Sequence, residues 1–197
     1  MLDDCLQYLA QNKLEVLAVV LSIAGVWLTA KEKIINWPIN IVASILSVYL
    51  FYLTALYGDA ILNGFFVIMC VYGWYEWLHG GKENSELSVS ISSPRVLGVL
   101  LLLTIAGSLL FGKMLNYTNS TVPYWDGITT ALSLAATWMA TKKLIENWLV
   151  WIFTDMLYVA MYYIKHLYAY SILYFIFTLL AVYGYYAWKK QIKPLYA

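Results

Sequence analysis

Sliding the chain against itself by 111 residues aligns residues 15–77 with residues 126–188 without a gap, and 22 of the 63 paired positions are identical. Asn36-Trp37 falls on Asn147-Trp148, Trp27 on Trp138, and Leu56-Tyr57 on Leu167-Tyr168. Tyr72-Gly73 and Trp77 fall on Tyr183-Gly184 and Trp188, and Glu15 falls on Asp126. A repeat of this length requires two copies of one structural unit, and it constrains the fold before any single residue is considered.

Each copy holds three apolar runs of helical length. They lie near residues 15–30, 37–57 and 60–78 in the first copy, and 126–141, 147–164 and 169–188 in the second, with a seventh run at 96–114 between them. The chain is 62% hydrophobic and 12% charged, where soluble domains carry about 25% charged residues. Runs of 17–25 apolar residues cross a bilayer. The expected fold is therefore an all-α membrane protein with seven transmembrane helices, as two parallel three-helix repeats joined by a linker helix (3+1+3). Residues 15–78 form the first repeat and 126–190 the second. Residues 79–125 supply a polar loop, the linker helix and a turn-rich outer loop. One intervening crossing makes both repeats enter the membrane in the same direction, related by an axis along the membrane normal; substrate sites in such transporters lie near the midplane between repeats.

Charge sets the orientation and excludes some partners. With the N-terminus outside and the C-terminus in the cytoplasm, Lys31, Lys33, Lys82, Arg95, Lys142, Lys143, Lys189, Lys190 and Lys193 face inward. Only Lys13, Lys113 and Lys165 face outward, as the positive-inside rule prefers. Trp77 and Trp188 at the inner side, with Tyr57 and Tyr168 at the outer, read as interfacial anchors. A single arginine and a net charge of +1 leave no basic patch for nucleic acid. Cys5 and Cys70 have no metal-ligand spacing and read as structural. The opening MLDDCLQYLAQNKLE has acids and amides where a signal peptide would be basic, so the first span is expected to remain.

One residue violates the apolar pattern. Asp155 sits in the middle of ENWLVWIFTDMLYVAMYY (146–163), a run with no lysine or arginine. A charge at the centre of a membrane helix costs about 2.5–3.5 kcal/mol on insertion scales, and such residues are functional candidates by default. Helical steps place Trp148, Trp151, Asp155, Tyr158 and Tyr162 on one stripe. The matching stripe in the first copy is Trp37, Asn40, Ser44, Ser47 and Phe51. On the third helices Asp59, Asn63 and Phe66 match Tyr170, Tyr174 and Phe177. Polar stripes in lipid must face protein or water, so the two imply a polar cleft. Ser and Asn also serve as packing glue at helix interfaces and tyrosines also bridge to headgroups, which accounts equally well for Ser44, Ser47 and Tyr162 taken singly. A carboxylate among Trp148, Trp151, Tyr158 and Trp37 suits an organic cation, because aromatic faces attract positive charge. Asn40, Ser44, Asn63 and Asn147 could read the ligand's polar edges, and Tyr162 extends the aromatic wall. No cofactor or metal is expected.

ENWLVWIFTD, the repeated Asn-Trp, LYGDAILNGFFVIMCVYGWYEW and VPYWDGITTALSLAATWMATKKLIENW resemble the PnuC family of vitamin transporters over about residues 15–190. The resemblance implies a bacterial inner-membrane facilitator, a homotrimer, in which two three-helix bundles enclose one unphosphorylated vitamin that a cytoplasmic kinase then traps. Family members carry nicotinamide riboside, thiamine (the PnuT group) or riboflavin. The resemblance also implies amides, Asn and Gln, at the positions of Asp155 and Asn63 in nicotinamide riboside carriers, and this chain departs from both. The extra carboxylate favours a permanent cation with an aminopyrimidine ring, so thiamine is the first expectation and nicotinamide riboside the alternative. Riboflavin is neutral and fits Asp155 poorly. An intramembrane enzyme is disfavoured, because His79 and His166 fall at opposite membrane ends, far from Asp155. A channel or receptor with the same cleft is the remaining alternative.

Overall fold

The structure, a computed structural model, describes residues 12–53, 57–117 and 122–192. Cys5, the Leu56 match and Lys193 lie outside the described residues, and so does the side chain of Tyr57. Among the described residues there are seven long helices: α1 (Lys13–Ala30), α2 (Asn36–Leu53), α3 (Tyr57–His79), α4 (Pro94–Leu115), α5 (Pro123–Thr141), α6 (Asn147–Ile164) and α7 (Tyr168–Lys189). Each coincides with one of the seven apolar runs.

Length and composition mark five of them, α1 to α4 and α7, as able to cross a membrane. The sequence expectation was seven such runs. Helices α5 and α6 fall short because they carry more polar groups, and those groups are turned inward. Thr129, Ser133 and Thr141 are buried on α5, and Asn147, Thr154 and Asp155 on α6. Protein neighbours rather than lipid receive these faces.

The repeated sequence builds the same corner twice. After α1 and after α5 the chain reverses through a residue with positive φ, Glu32 at 51° and Lys143 at 49°. The next helix then opens on an asparagine whose side chain closes the turn. Asn36 Nδ2 donates to Lys33 O at 2.8 Å, and Asn147 Nδ2 to Leu144 O at 2.6 Å. Helix α4 starts by a different device: Ser93 Oγ accepts from Val96 N–H at 3.3 Å, with Pro94 in the first turn.

Packing follows the sequence pairing. Helix α2 lies against α1 and α3, and α6 against α5 and α7. Two further contacts cross between these groups, α1 with α7 and α3 with α5, so the first helix of each copy meets the third helix of the other. Helix α4 packs along α5.

Four tryptophans hold the crossing together. Trp37 meets Trp77 edge-on at 5.1 Å, Trp148 meets Trp188 edge-on at 5.3 Å, and Trp77 lies 6.0 Å from Trp188. Trp77 Nε1 donates to Ala140 O at 3.0 Å and Trp188 Nε1 to Thr29 O at 3.2 Å. Ala140 and Thr29 are themselves repeat partners. Trp77 and Trp188 are therefore not interfacial anchors, as their position at helix ends suggested. They are 2% and 0% exposed, because carbonyls in the last turns of α1 and α5 take up their indole N–H groups beside the backbone N–H groups of the corner. Cys70 is buried in the same core.

The polar segment 80–93 is a strap across this end of the bundle. Its backbone bonds to α3 through Leu87 N–H and Trp77 O at 3.0 Å. It bonds to the α5–α6 corner through Ser90 N–H to Lys143 O and Ile145 N–H to Ser90 O, both at 3.0 Å. Glu146 then accepts from Ser92 N–H at 3.0 Å and from Ser92 Oγ at 2.8 Å.

Candidate functional site

Asp155 is 3% exposed, at the middle of α6. The ion pairs among the described residues lie at the helix ends, Lys142–Glu76 at 2.7 Å and Lys143–Glu32 at 3.1 Å, and neither includes it. Its neighbour Thr154 spends its hydroxyl on Val150 O at 2.8 Å within the same helix. The aspartate thus faces protein, away from lipid, and carries no basic partner among the described residues.

The groups that feel its charge are aromatic hydroxyls. Tyr158 and Tyr174 lie within electrostatic reach of Asp155, and Tyr158 within reach of the Thr129 and Ser133 hydroxyls on α5. From there a stack of rings runs toward the far end of the bundle. Tyr158 and Tyr174 lie 4.4 Å apart, Tyr174 and Tyr162 5.4 Å, and Tyr162 and Tyr170 5.3 Å, all near parallel. Tyr170 donates to Glu15 Oε1 at 3.4 Å, and Tyr162 feels Asp59 and Asp126. The face is therefore acidic as well as aromatic, with carboxyl groups at both ends of the ladder. Tyr170 and Tyr174 add to the site expected from sequence; their helical spacing on α7 was the signal that marked them.

The remaining expected residues divide between this face and the core. Trp151 is partly buried against the tryptophan core. Trp37 and Trp148 are locked within it, where a Cβ at Gly184 would come 2.6 Å from Trp148 Cε2. Asn40 is wedged over Gly25, so that a Cβ there would collide with its amide. Ser44 is partly buried, and Ser47 Oγ donates back to Ala43 O at 3.0 Å. Asn63 Nδ2 turns to Asp59 O at 2.9 Å on its own helix. Asn147 is fully buried.

Four buried polar atoms at two pairs of repeat-equivalent positions lack a hydrogen-bond partner: Asn36 Oδ1 and Asn147 Oδ1, and Trp37 Nε1 and Trp148 Nε1. Buried polar groups are nearly always bonded, so these two acceptors and two donors can engage water or a polar ligand. The arrangement suits a small, flat molecule bearing positive charge and a polar edge. Aromatic rings supply stacking and Asp155 the counter-charge.

Comparison with known proteins agrees with this architecture. A solved structure described as the crystal structure of the vitamin B3 transporter PnuC superposes with a TM-score of 0.75 at 22% identity, covering 94% of this chain and 85% of that one. The nicotinamide riboside transporter PnuC of Escherichia coli (strain K12) is 24% identical over 205 residues, covering 89% of this chain and 84% of that protein. The protein of the same name from Haemophilus influenzae (strain ATCC 51907 / DSM 11121 / KW20 / Rd) is 27% identical over 190 residues, covering 90% and 80%. Residues 12–190 match the family described as nicotinamide mononucleotide transporter, and the chain belongs to this family, that of the PnuC transporters.

Proposed function

We propose that this chain is a facilitator for nicotinamide riboside, taken up as an unphosphorylated cation. The observation that carries a cationic substrate is Asp155, buried in mid-helix without a basic partner among the described residues, and the choice among cations rests on the relatives. A nicotinamide riboside cation supplies the missing positive charge, a flat ring for the aromatic face and a carboxamide for polar edges. The two relatives named above as nicotinamide riboside transporters support that vitamin over thiamine. Thiamine is the second reading. The aspartate in place of an amide favours it, because its aminopyrimidine offers donors to a carboxylate.

The mechanism we propose is alternating access between two three-helix halves, α1–α3 and α5–α7, with α4 as the linker. Support comes from the repeat-related contacts α1–α7 and α3–α5, which make one interface of two similar parts. With the N-terminus outside, the basic helix ends lie in the cytoplasm. There a membrane potential draws a cation inward by about 2.3 kcal/mol per charge per 100 mV. A cytoplasmic kinase that phosphorylates the vitamin would keep flux downhill without a coupling ion. The site residues proposed are Asp155, Trp151, Tyr158, Tyr162, Asn40, Ser44 and Asn63, with Trp37, Trp148 and Asn147 forming the floor.

Binding titrations of the purified protein with nicotinamide riboside, thiamine and riboflavin test the assignment. The expected order is nicotinamide riboside first, thiamine second and riboflavin undetected. Asp155→Asn should weaken both cations by tenfold or more while the protein remains folded. Riboflavin bound as tightly as the cations, or cation affinity unchanged in Asp155→Asn, would refute it.

A further inference from the structure

Helix α4 leaves an apolar groove along its contact with α5. The groove holds about 610 Å³ and is lined by Val99, Leu103 and Phe111 of α4 and Leu134 and Trp138 of α5, with Arg95 at one mouth. Val99 and Leu103 are 56% and 63% exposed, so the groove opens on the outer surface of the helix bundle. From Arg95 to Phe111 it follows 16 residues of helix, about 24 Å at 1.5 Å per residue. Half of a hydrocarbon core of about 30 Å is shorter than this, so one extended acyl chain fits.

Arg95 gives the groove its polarity. It is the single arginine of the chain, and it pairs with none of the described carboxylates. It stands in the first turn of α4, where the helix dipole adds positive potential, and its guanidinium fork matches a phosphate. The same end of the bundle gathers Lys142, Lys143 and Lys189, and Trp138 lies one turn from Lys142.

We propose that this groove holds one anionic phospholipid per chain, its phosphate on Arg95 and one acyl chain along α4 and α5. A second protein copy is the less suitable occupant: it would have to bring a carboxylate to Arg95 within an otherwise apolar contact. A phospholipid supplies both the charge and the hydrocarbon.

The test is native mass spectrometry of the full chain in detergent, with added phosphatidylglycerol or phosphatidylcholine. The expected result is one retained lipid per chain, with phosphatidylglycerol favoured. Arg95→Gln should reduce that preference by about fivefold, the factor for about 1 kcal/mol per basic residue at an anionic surface. Leu103→Trp, at an exposed position, should block the groove and remove retention of both lipids. Equal retention of the two lipids, or an unchanged preference in Arg95→Gln, overturns the proposal. A change of oligomeric mass in these variants with no lipid retained also overturns it and assigns the face to a second copy.

Discussion

Lys143 Nζ lies 3.1 Å from Glu32 Oε2, and the two residues are 111 positions apart, which is the offset of the internal repeat. Each is the other's counterpart, so their contact falls where the two copies meet. The ammonium also lies 4.4 Å from the ring centroid of Trp77. The side chains are only 9% and 15% exposed, and removing one partner of a buried pair costs about 3–5 kcal/mol. Lys143→Met and Glu32→Gln should each lower the unfolding temperature in detergent. The double swap Glu32→Lys with Lys143→Glu should recover most of it, because the moved ammonium approaches Trp188, the counterpart of Trp77. A swap as damaging as the single changes would mean that the pair is not a matched contact.

The two glycines beside the tryptophan core are close-approach positions. A Cβ at Gly184 would come 2.6 Å from Trp148, and at Gly73 it would collide with Trp37. Overpacking a filled core costs about 1–3 kcal/mol, so Gly184→Ala and Gly73→Ala should both lower thermal stability. Gly98, whose added Cβ meets nothing within 4 Å, is the control. Gly98→Ala should leave stability unchanged or slightly raised, since alanine is the better helix former.

Much of the scaffold was legible in sequence because lipid imposes a simple rule: a helix that crosses must be long and apolar. The seven helices follow from it, and Asp155 stands out because it breaks the rule. The fate of Trp77 and Trp188 does not follow, since an aromatic ring near a helix end suits an interface as well as a core. What decides is the carbonyl each indole meets on the other copy, a contact between residues 63 positions apart for Trp77 and Ala140 and 159 for Trp188 and Thr29. For the same reason sequence does not reveal the partner of Glu146, which is Ser92 on the strap, 54 positions away. The tyrosine ladder was half visible. Tyr158 and Tyr162 lay on the Asp155 stripe, but their stacking with Tyr170 and Tyr174 depends on how α7 leans on α6.

Strap docking gives a prediction independent of transport. Glu146 accepts from both the backbone and the hydroxyl of Ser92, and a hydrogen bond to a charged group contributes about 1.5–3 kcal/mol. Glu146→Ala should release residues 80–93 from the α5–α6 corner and speed limited proteolysis there, with less effect on global unfolding. Ser92→Ala, which keeps the backbone N–H bond, should have a smaller effect in the same direction. Equal cleavage rates in all three proteins would show that the strap is held by its backbone pairing with Lys143 and Ile145 alone.

Trp148 and Trp151 are separated by one helical turn, yet the structure gives them different work. Trp148 is 2% exposed and pressed against Gly184 and Trp188, so Trp148→Ala should destabilise the fold by about 3–5 kcal/mol, as aromatic truncations in cores do. Trp151 is only partly buried and borders the core, one turn before Asp155. On the proposed function its indole is the ring free to stack on the vitamin. A desolvated cation–π contact is worth about 2 kcal/mol, so Trp151→Ala should weaken nicotinamide riboside binding some tenfold or more while the unfolding temperature stays close to that of the parent. Measuring both quantities on both variants separates the roles. If Trp151→Ala lost stability and kept its affinity, the stacking surface would pass to Tyr158 and Tyr174, the rings already coupled to Asp155.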